Sequence, residues 1–526
     1  MEPSIVQAGV VSSPTPAQPL NPVLNSTSGP ASSRAWPRIA IVGAGFAGIG
    51  MAIRLKRAGI DSFTIYEQSD GVGGTWRANT YPGAACDIPS HLYSFSFEPN
   101  PDWTRSYGPQ PEILAYLERC ADRYDLRPRL RCNAPVTRAH YDETRHVWQL
   151  EVHDERIEVD VLIAASGPLS RPAYPSIRGI DTFAGTLFHS ARWNHDVDLA
   201  NRTIGVVGTG ASAIQFIPEI APQAAQLTVF QRTAPWVLPK PDGPIGTRWR
   251  RLYRRMPWLQ SLARASIYCL LEARAIGFVT QPNLLRLAMR LARRYIERSI
   301  DDPALRAKVT PDYVMGCKRI LMSNTYYRTL ARENVHVETS PIREICPEGI
   351  VTADGTLHRI DTLICGTGFQ VNDVPAPFEM FGVGGTSLSE RWLRDGPEAY
   401  LGTAIKDFPN LFLIVGPNTG LGHNSMVYMI ESQVTYILHA LQTLIHKGAR
   451  SVAVRADAQE RFNTQLQQRF SRSVWSTGCR SWYLTATGKN TTLWPGFTFA
   501  FRRATKALDP RDFIFSPKPN APHEDI

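Results

Sequence analysis

The sequence predicts an α/β protein with two parallel-sheet units, because one composite pattern occurs in it twice. An apolar run, Arg38 to Val42, ends at Gly43-Ala-Gly45-Phe-Ala-Gly48 and passes into helical periodicity from Ile49 to Arg57. A β-rich run, Thr203 to Val207, ends at Gly208-Thr209-Gly210-Ala211-Ser212-Ala213 and passes into a helical start through Ile217. Strand, glycine turn and helix in that order build the phosphate cradle of a Rossmann-like dinucleotide-binding domain. The first glycine allows the tight turn, the second lets the backbone approach a pyrophosphate, and the third lets the helix pack on the strand. Composition agrees: 526 residues hold several domain-sized cores, and 43% hydrophobic with 20% charged residues is ordinary for a globular protein.

Composition also excludes several classes. The eight cysteines are scattered with no C-x-x-C pair, which argues against a zinc site, a disulfide framework and a dithiol redox enzyme, so no metal is expected. The first residues lack a basic start followed by an apolar run, so no signal peptide is read. Residues 1–36 are rich in Pro and Ser, carry only Glu2 and Arg34 as charges, and read as a disordered tail. No apolar stretch reaches the roughly 18 residues that span a bilayer. The best one, Trp258 to Val279, is broken by Arg264, Glu272 and Arg274. A cytoplasmic location is the expectation.

The net charge of +10 is local. Lys240 to Lys308 holds 15 Lys and Arg against 5 Asp and Glu, an excess equal to that of the whole chain. No nucleic-acid motif accompanies it, so nucleic acid is not an expected partner. Leu284, Leu285, Leu287, Met289 and Leu291 recur at helical spacing with Arg286, Arg290, Arg293 and Arg294 between them. The segment 240–308 therefore reads as a helical insertion with a solvated basic face; peripheral contact with anionic lipid is the lesser alternative.

In the first unit Gly59 closes the helix, Ser62 to Tyr66 forms the second strand, and Glu67 follows it, 24 residues after Gly43. A carboxylate there accepts hydrogen bonds from an unphosphorylated ribose, as in FAD or NAD. In the second unit Leu227 to Phe230 is the second strand, and the same count of 24 from Gly208 reaches Arg232, followed by Thr233. A guanidinium at that place clamps a 2′-phosphate and so favours NADP.

Between the units, Gly71 to Asp87 reads G-V-G-G-T-W-R-A-N-T-Y-P-G-A-A-C-D, and Phe183-Ala-Gly185-Thr-Leu-Phe-His189-Ser-Ala-Arg-Trp193 follows later. The first stretch resembles the flavin-side motif of Baeyer–Villiger monooxygenases. The second matches that family's fingerprint F-x-G-x-x-x-H-x-x-x-W through the Trp, with Asn194 where the family usually has Pro or Asp. The related N- and S-oxidising flavin monooxygenases usually carry Tyr or Phe at the position of Trp193. Leu162–Gly167 and Asp361–Phe369 resemble chain crossings between FAD and NADP domains. Phe408–Asn418 with the T-G-L-G-H-N-S-M run at 419–426 looks like the last FAD-contacting strand and turn, and Trp475–Tyr483 is similar to the loop that closes over NADP.

The resemblance implies two interleaved Rossmann-like domains: FAD-binding over 37–170 and 341–526, the latter with a C-terminal lid loop, and NADP-binding over 171–340 with the insertion. It implies FAD contacts from Gly43, Gly45, Gly48, Glu67, Gly74, Thr75, Trp76, Asp87, Tyr93, Val136 and Asn418. It implies NADP contacts from Ala85, Cys86, Asp87, Gly208, Thr209, Gly210, Ala211, Ser212, Ala213, Arg232, Thr233, Lys318, Arg319 and Trp482. Phe183, Gly185, His189 and Trp193 would brace the domain junction. The implied activity uses FAD, NADPH and O2 to turn a small ketone into an ester or lactone through a C4a-peroxyflavin. Arg319 would act as the catalytic cation, held in place by Asp87, since a permanent charge stabilises developing oxyanion character without exchanging protons. The alternatives are an N- or S-oxygenating flavin monooxygenase and, from another class, a non-catalytic binding or membrane-surface protein.

Overall fold

The computed structural model describes residues 36–371, 376–478 and 481–517. Its first sheet has five parallel strands in the order Leu411–Leu413, Val161–Ala164, Ile39–Val42, Phe63–Tyr66, Leu130–Arg131. Ile39–Val42 is buried throughout, as an apolar strand covered on both faces of a parallel sheet must be. The helix Phe46–Arg57 buries nine of its twelve residues and ends with Arg54, Lys56 and Arg57 in its last turn, where cations suit the helix dipole. It packs against the long helix Met426–His446, whose Ser425 cap accepts the Val427 amide at 3.2 Å.

The second sheet repeats the arrangement with Val335–Glu338, Gln226–Phe230, Thr203–Val207, Thr362–Cys365 and Thr186–His189, again all parallel. In each sheet the strand before the glycine cradle is central. The outermost strand beyond the crossing comes from the C-terminal third in the first sheet, and from before the cradle in the second. This exchange is the interleaving. It also corrects one boundary: Thr362–Cys365 is hydrogen-bonded between two strands of the second sheet, so that sheet extends past the expected end at 340 and the backbone crosses after Cys365.

An antiparallel meander, Val136–Asp142, Val147–Val152 and Glu155–Val159, takes Glu379–Phe381 as a parallel edge strand. The expected insertion is helical: Thr247–Arg255, Pro257–Ala275, Leu285–Ser299 and Pro303–Val309. Six cysteines are free thiols, whereas Cys317 is disulfide-bonded. The tail expected over 1–36 lies outside the described residues except for Trp36, which packs half-buried on the first core. Among the described residues no helix is long and apolar enough to cross a membrane.

Candidate active site

The two cradles share one construction. Gly43 and Gly208 both have φ +107°, and a Cβ would come within 2.7 Å of the Ala165 carbonyl oxygen in the first and 2.5 Å of the Gly366 oxygen in the second. Each cradle is thus pressed on the turn after its neighbouring strand, inside the two stretches read as crossings. Gly48 lies on its own turn, where a Cβ would sit 1.9 Å from the Gly43 oxygen. Gly45 faces Gly74 backbone to backbone, its Cβ position 3.6 Å from the Gly74 Cα, so the first cradle and the Gly71–Asp87 motif converge. Neither the helix Phe46–Arg57 nor Ala213–Ile220 carries a side-chain cap. Their first-turn amides are left to an anion. A side-chain-free cradle at an uncapped helix start fits a dinucleotide pyrophosphate, once in each unit.

Glu67 is buried, with Oε2 accepting the Ala44 amide at 2.7 Å and Oε1 accepting the Ser69 amide at 2.9 Å. It therefore clasps the cradle itself. The equal count that matched it to Arg232 is corrected by the sheet register. The Gly43 amide bonds Tyr66 O and the Gly208 amide bonds Phe230 O, while the amides of Glu67 and Gln231 bond the third strands at Arg131 and Glu338. The residue equivalent to Glu67 is Gln231, because the second unit is one residue shorter between glycine and strand end. Gln231 is buried, and Arg232 follows it, exposed.

That exposure places Arg232 in a cavity of about 660 Å³ lined also by Gln231, Thr233, Lys308, Tyr313 and Lys318. Lys318 Nζ lies 4.7 Å from the Tyr313 ring centre. Burial, with the neighbouring Arg232 charge, lowers the Lys318 pKa. Arg232, Lys308 and Lys318 face a single carboxylate, Asp312, in this cavity, and that positive excess suits a phosphate. Lys308, whose Nζ donates to Val337 O at 3.0 Å, was missed by motif reading because it belongs to the insertion.

The adjacent residue points elsewhere. Arg319 donates from Nε to Asp87 Oδ2 at 3.1 Å and from Nη2 to the same oxygen. Both side chains line a cleft, 38% and 34% accessible. The Asp87 charge raises the Arg319 pKa against the effect of burial. Burial alone would raise the Asp87 carboxyl, but the Arg319 charge and hydrogen bond hold it below its ordinary value. Lys240 adds a further cation near Asp87. Tyr483 is buried, and burial pushes its phenol up to about 12 against the nearby Arg319 charge, so it is a neutral wall of this cleft that sequence reading missed. Trp482, an expected NADP contact, is 46% exposed with its ring against Tyr483 at 4.5 Å. Residues 479 and 480 of the expected lid lie outside the described residues.

Around Asp87, the Ala85 amide donates to Gln215 Oε1 at 2.8 Å, tying the motif to the helix of the second cradle. Cys86 is buried, and burial pushes its thiol pKa far up. Trp76 is half-buried, donating to the Tyr93 hydroxyl at 3.1 Å, and Thr75 is exposed. Val136 is buried in the third core. Asn418 is spent structurally: its Nδ2 donates to Asn490 O at 2.8 Å and Leu493 O at 3.0 Å, and its amide to Thr491 O at 2.8 Å.

The fingerprint residues meet the second crossing. A Cβ at Gly185 would lie 2.3 Å from Asp361 O, which explains the glycine. His189 is fully buried, its Nδ1 accepts the Ala191 amide at 3.0 Å, and its ring lies 6.2 Å from Phe369. Burial lowers its pKa, leaving it neutral. Phe183 packs partly buried on the core beside this strand. Trp193 packs edge-on to Phe188 at 5.1 Å and against Phe216 of the second-cradle helix at 5.3 Å.

Comparison with known proteins agrees with this geometry. Residues 40–243 match the family model described as pyridine nucleotide-disulphide oxidoreductase, a span that contains both cradles and no C-x-x-C pair. The chain is 50% identical to a Baeyer–Villiger monooxygenase of Pseudomonas aeruginosa over 92% of both chains. It is 46% identical to a Baeyer–Villiger monooxygenase of Streptomyces coelicolor over 92% of this chain and 93% of that one. Its fold superposes on the crystal structure of OTEMO in complex with FAD and NADP with a TM-score of 0.81, at 28% identity, covering 92% of this chain and all of that one. The chain belongs to the Baeyer–Villiger monooxygenases, flavoprotein enzymes that work with FAD and NADPH.

Proposed function

We propose that Lys318 and Arg319 divide the work of this enzyme between them: Lys318 with Arg232 holds the 2′-phosphate of NADPH, and Arg319, aligned by Asp87, is the catalytic cation. The observation that carries this is their adjacency. One residue faces the cation-lined cavity and the next faces Asp87, so cofactor binding and chemistry are joined through a single peptide unit. The enzyme consumes ketone, O2, NADPH and a proton, and releases ester or lactone, NADP⁺ and water. FAD, when bound, would accept one hydride from NADPH and activate O2.

The chain's own part is electrostatic. Attack on the carbonyl carbon turns its oxygen into a developing alkoxide. A guanidinium whose pKa lies above its ordinary value stays charged and stabilises that oxygen without giving up a proton. Asp87 accepts two donors from one edge of Arg319 and leaves the rest of the fork for the reacting groups. The glycine cradles hold the two pyrophosphates, and Glu67 fixes the shape of the first through Ala44. The fingerprint Phe183, Gly185, His189 and Trp193 acts on the second crossing, and neutral His189 is a positioning residue. The reading is tested by the products of an Arg319→Ala enzyme: loss of ester with continued NADPH oxidation supports it, and undiminished ester refutes it.

A further inference from the structure

The helix Pro257–Ala275 is built inside out. Its buried side holds the polar groups: Gln260 donates to Asn100 O at 2.6 Å, Arg264 donates to His91 O at 2.8 Å and Ser94 O at 2.9 Å, and Glu272 accepts from Thr498 and Asn424. Apart from Arg274 in its last turn, every exposed residue of this helix is uncharged, and Trp258, Leu262 and Leu270 are 59%, 58% and 63% exposed. A helix on a water-facing surface has the opposite pattern. The neighbouring elements add further exposed apolar side chains. The helix Thr247–Arg255 packs on this one and exposes Trp249, and the chain runs on through Ile276–Thr280 into Leu285–Ser299, which exposes Leu287 and Leu291 one turn apart. Eight of the fifteen exposed large hydrophobic side chains among the described residues fall between Trp249 and Leu291. Exposed Arg251, Arg255, Arg286, Arg290 and Arg294 lie among them. Among the described residues, Arg254 is the one arginine of this segment in an ion pair, with Asp102.

We propose that this face docks on an anionic phospholipid surface, with the tryptophans and leucines entering the boundary between headgroups and acyl chains and the arginines meeting the phosphates. Apolar side chains alone would fit a second copy of the chain equally well. The charge decides between them: a symmetric pairing sets the segment's positive excess against itself, whereas an anionic bilayer neutralises it. The basic face expected from the sequence is therefore half of an interfacial surface. The inference is independent of the oxygenation chemistry.

The test is sedimentation of the FAD-loaded full chain with vesicles of phosphatidylcholine alone or containing phosphatidylglycerol. The protein should pellet with the anionic vesicles and stay in solution with the neutral ones, and the difference should shrink between about 0.1 M and about 0.5 M salt. Changing Arg251, Arg290 and Arg294 to Gln should weaken vesicle affinity by roughly fivefold per arginine removed. Trp258→Ser with Leu262→Ser should abolish retention at high salt. Both variants should keep wild-type FAD content and melting temperature, since these side chains lie on the outside. Equal sedimentation with both vesicle types, or variants that bind as tightly as wild type, would overturn the proposal. So would a dimer in sedimentation velocity that Trp258→Ser with Leu262→Ser dissociates while vesicle binding is absent, because the occupant is then a second copy.

Discussion

Arg319 and Asp87 are 232 residues apart in sequence, yet two guanidinium donors of Arg319 converge on one carboxylate oxygen of Asp87 in an open cleft. The pair holds because each partner shifts the other toward its charged form, Asp87 down and Arg319 up. A depressed carboxyl keeps the attraction above its ordinary pKa and loses it only as pH falls through the lower folded value. The pair is therefore intact throughout the neutral range, and an acidic limb in the rate profile near neutrality belongs to another group. Asp87→Asn removes the alignment and leaves the cation. It should lower kcat for ester formation about tenfold or more while changing KM for NADPH less. The pH–rate profile of the ester product checks this; an unchanged kcat would show that Arg319 needs no alignment.

Cofactor choice should reside in the cavity beside it. Arg232→Ala and Lys318→Ala each remove a charged partner of a phosphate, a contact worth about 1.5–3 kcal/mol. Each should raise KM for NADPH by roughly ten- to a hundredfold and leave KM for NADH nearly unchanged. Steady-state kinetics with both nucleotides decides it, and equal losses with the two would remove the phosphate assignment.

The matched cradles predict a separable pair of defects. Gly43→Ala forces a side chain into φ +107° against the Ala165 oxygen, and Gly208→Ala does the same against Gly366. Gly43→Ala should lose FAD on gel filtration. Gly208→Ala should stay yellow with a KM for NADPH raised at least tenfold. The visible spectrum after desalting reads the first and kinetics the second. Loss of FAD from both variants alike would argue against one nucleotide per cradle.

A fourth expectation concerns stability and pH. His91 is buried against Gln260, Tyr253 and the Arg264 charge, and burial lowers its pKa to about 4. The unfolded chain binds a proton at His91 near pH 6.5, which the folded chain refuses until about 4, so stability present above 6.5 is lost as pH falls through that window. The slope from this one group is at most about 1.4 kcal/mol per pH unit. His91→Gln should flatten the fall in melting temperature between those values. Parallel wild-type and variant curves would show that His91 carries none of it.

Much of this was legible in the sequence wherever a backbone requirement selects one residue type. Gly43, Gly48 and Gly208 sit where no Cβ fits, and Gly185 is pressed on Asp361, so the motifs that name them mark real contacts. Reasoning failed where it assumed equal lengths. Counting from the first glycine matched Arg232 to Glu67, although the second unit is one residue shorter and Gln231 holds that place. Arg232 still reaches the cavity because the next residue along leaves the strand outward. Strand Thr362–Cys365 joins the second sheet although it lies beyond the expected boundary at 340, because sheet membership is a matter of long-range pairing, which local pattern does not carry. Tyr483 rather than Trp482 packs into the cleft, since neighbours in a loop point in different directions and the bulkier one need not be the buried one. Leucine spacing reveals the helix Leu285–Ser299 of the insertion, but not that the helix Pro257–Ala275 turns Gln260, Arg264 and Glu272 inward.

The most direct test of the account is the fate of oxygen in an Arg319→Ala enzyme. This variant should fold, retain FAD and still oxidise NADPH, because the cradles and the phosphate cavity do not depend on Arg319. Ester or lactone formation should fall by roughly a hundred- to a thousandfold, the usual cost of one preorganised electrostatic contact. The oxygen consumed should appear as hydrogen peroxide, and Arg319→Lys should restore little, since a point charge does not reproduce the planar fork. Quantifying ester and peroxide against NADPH consumed, in wild type and variant, reads all of this in one experiment. Ester formed at near wild-type yield by Arg319→Ala would contradict the account and place the stabilising charge elsewhere.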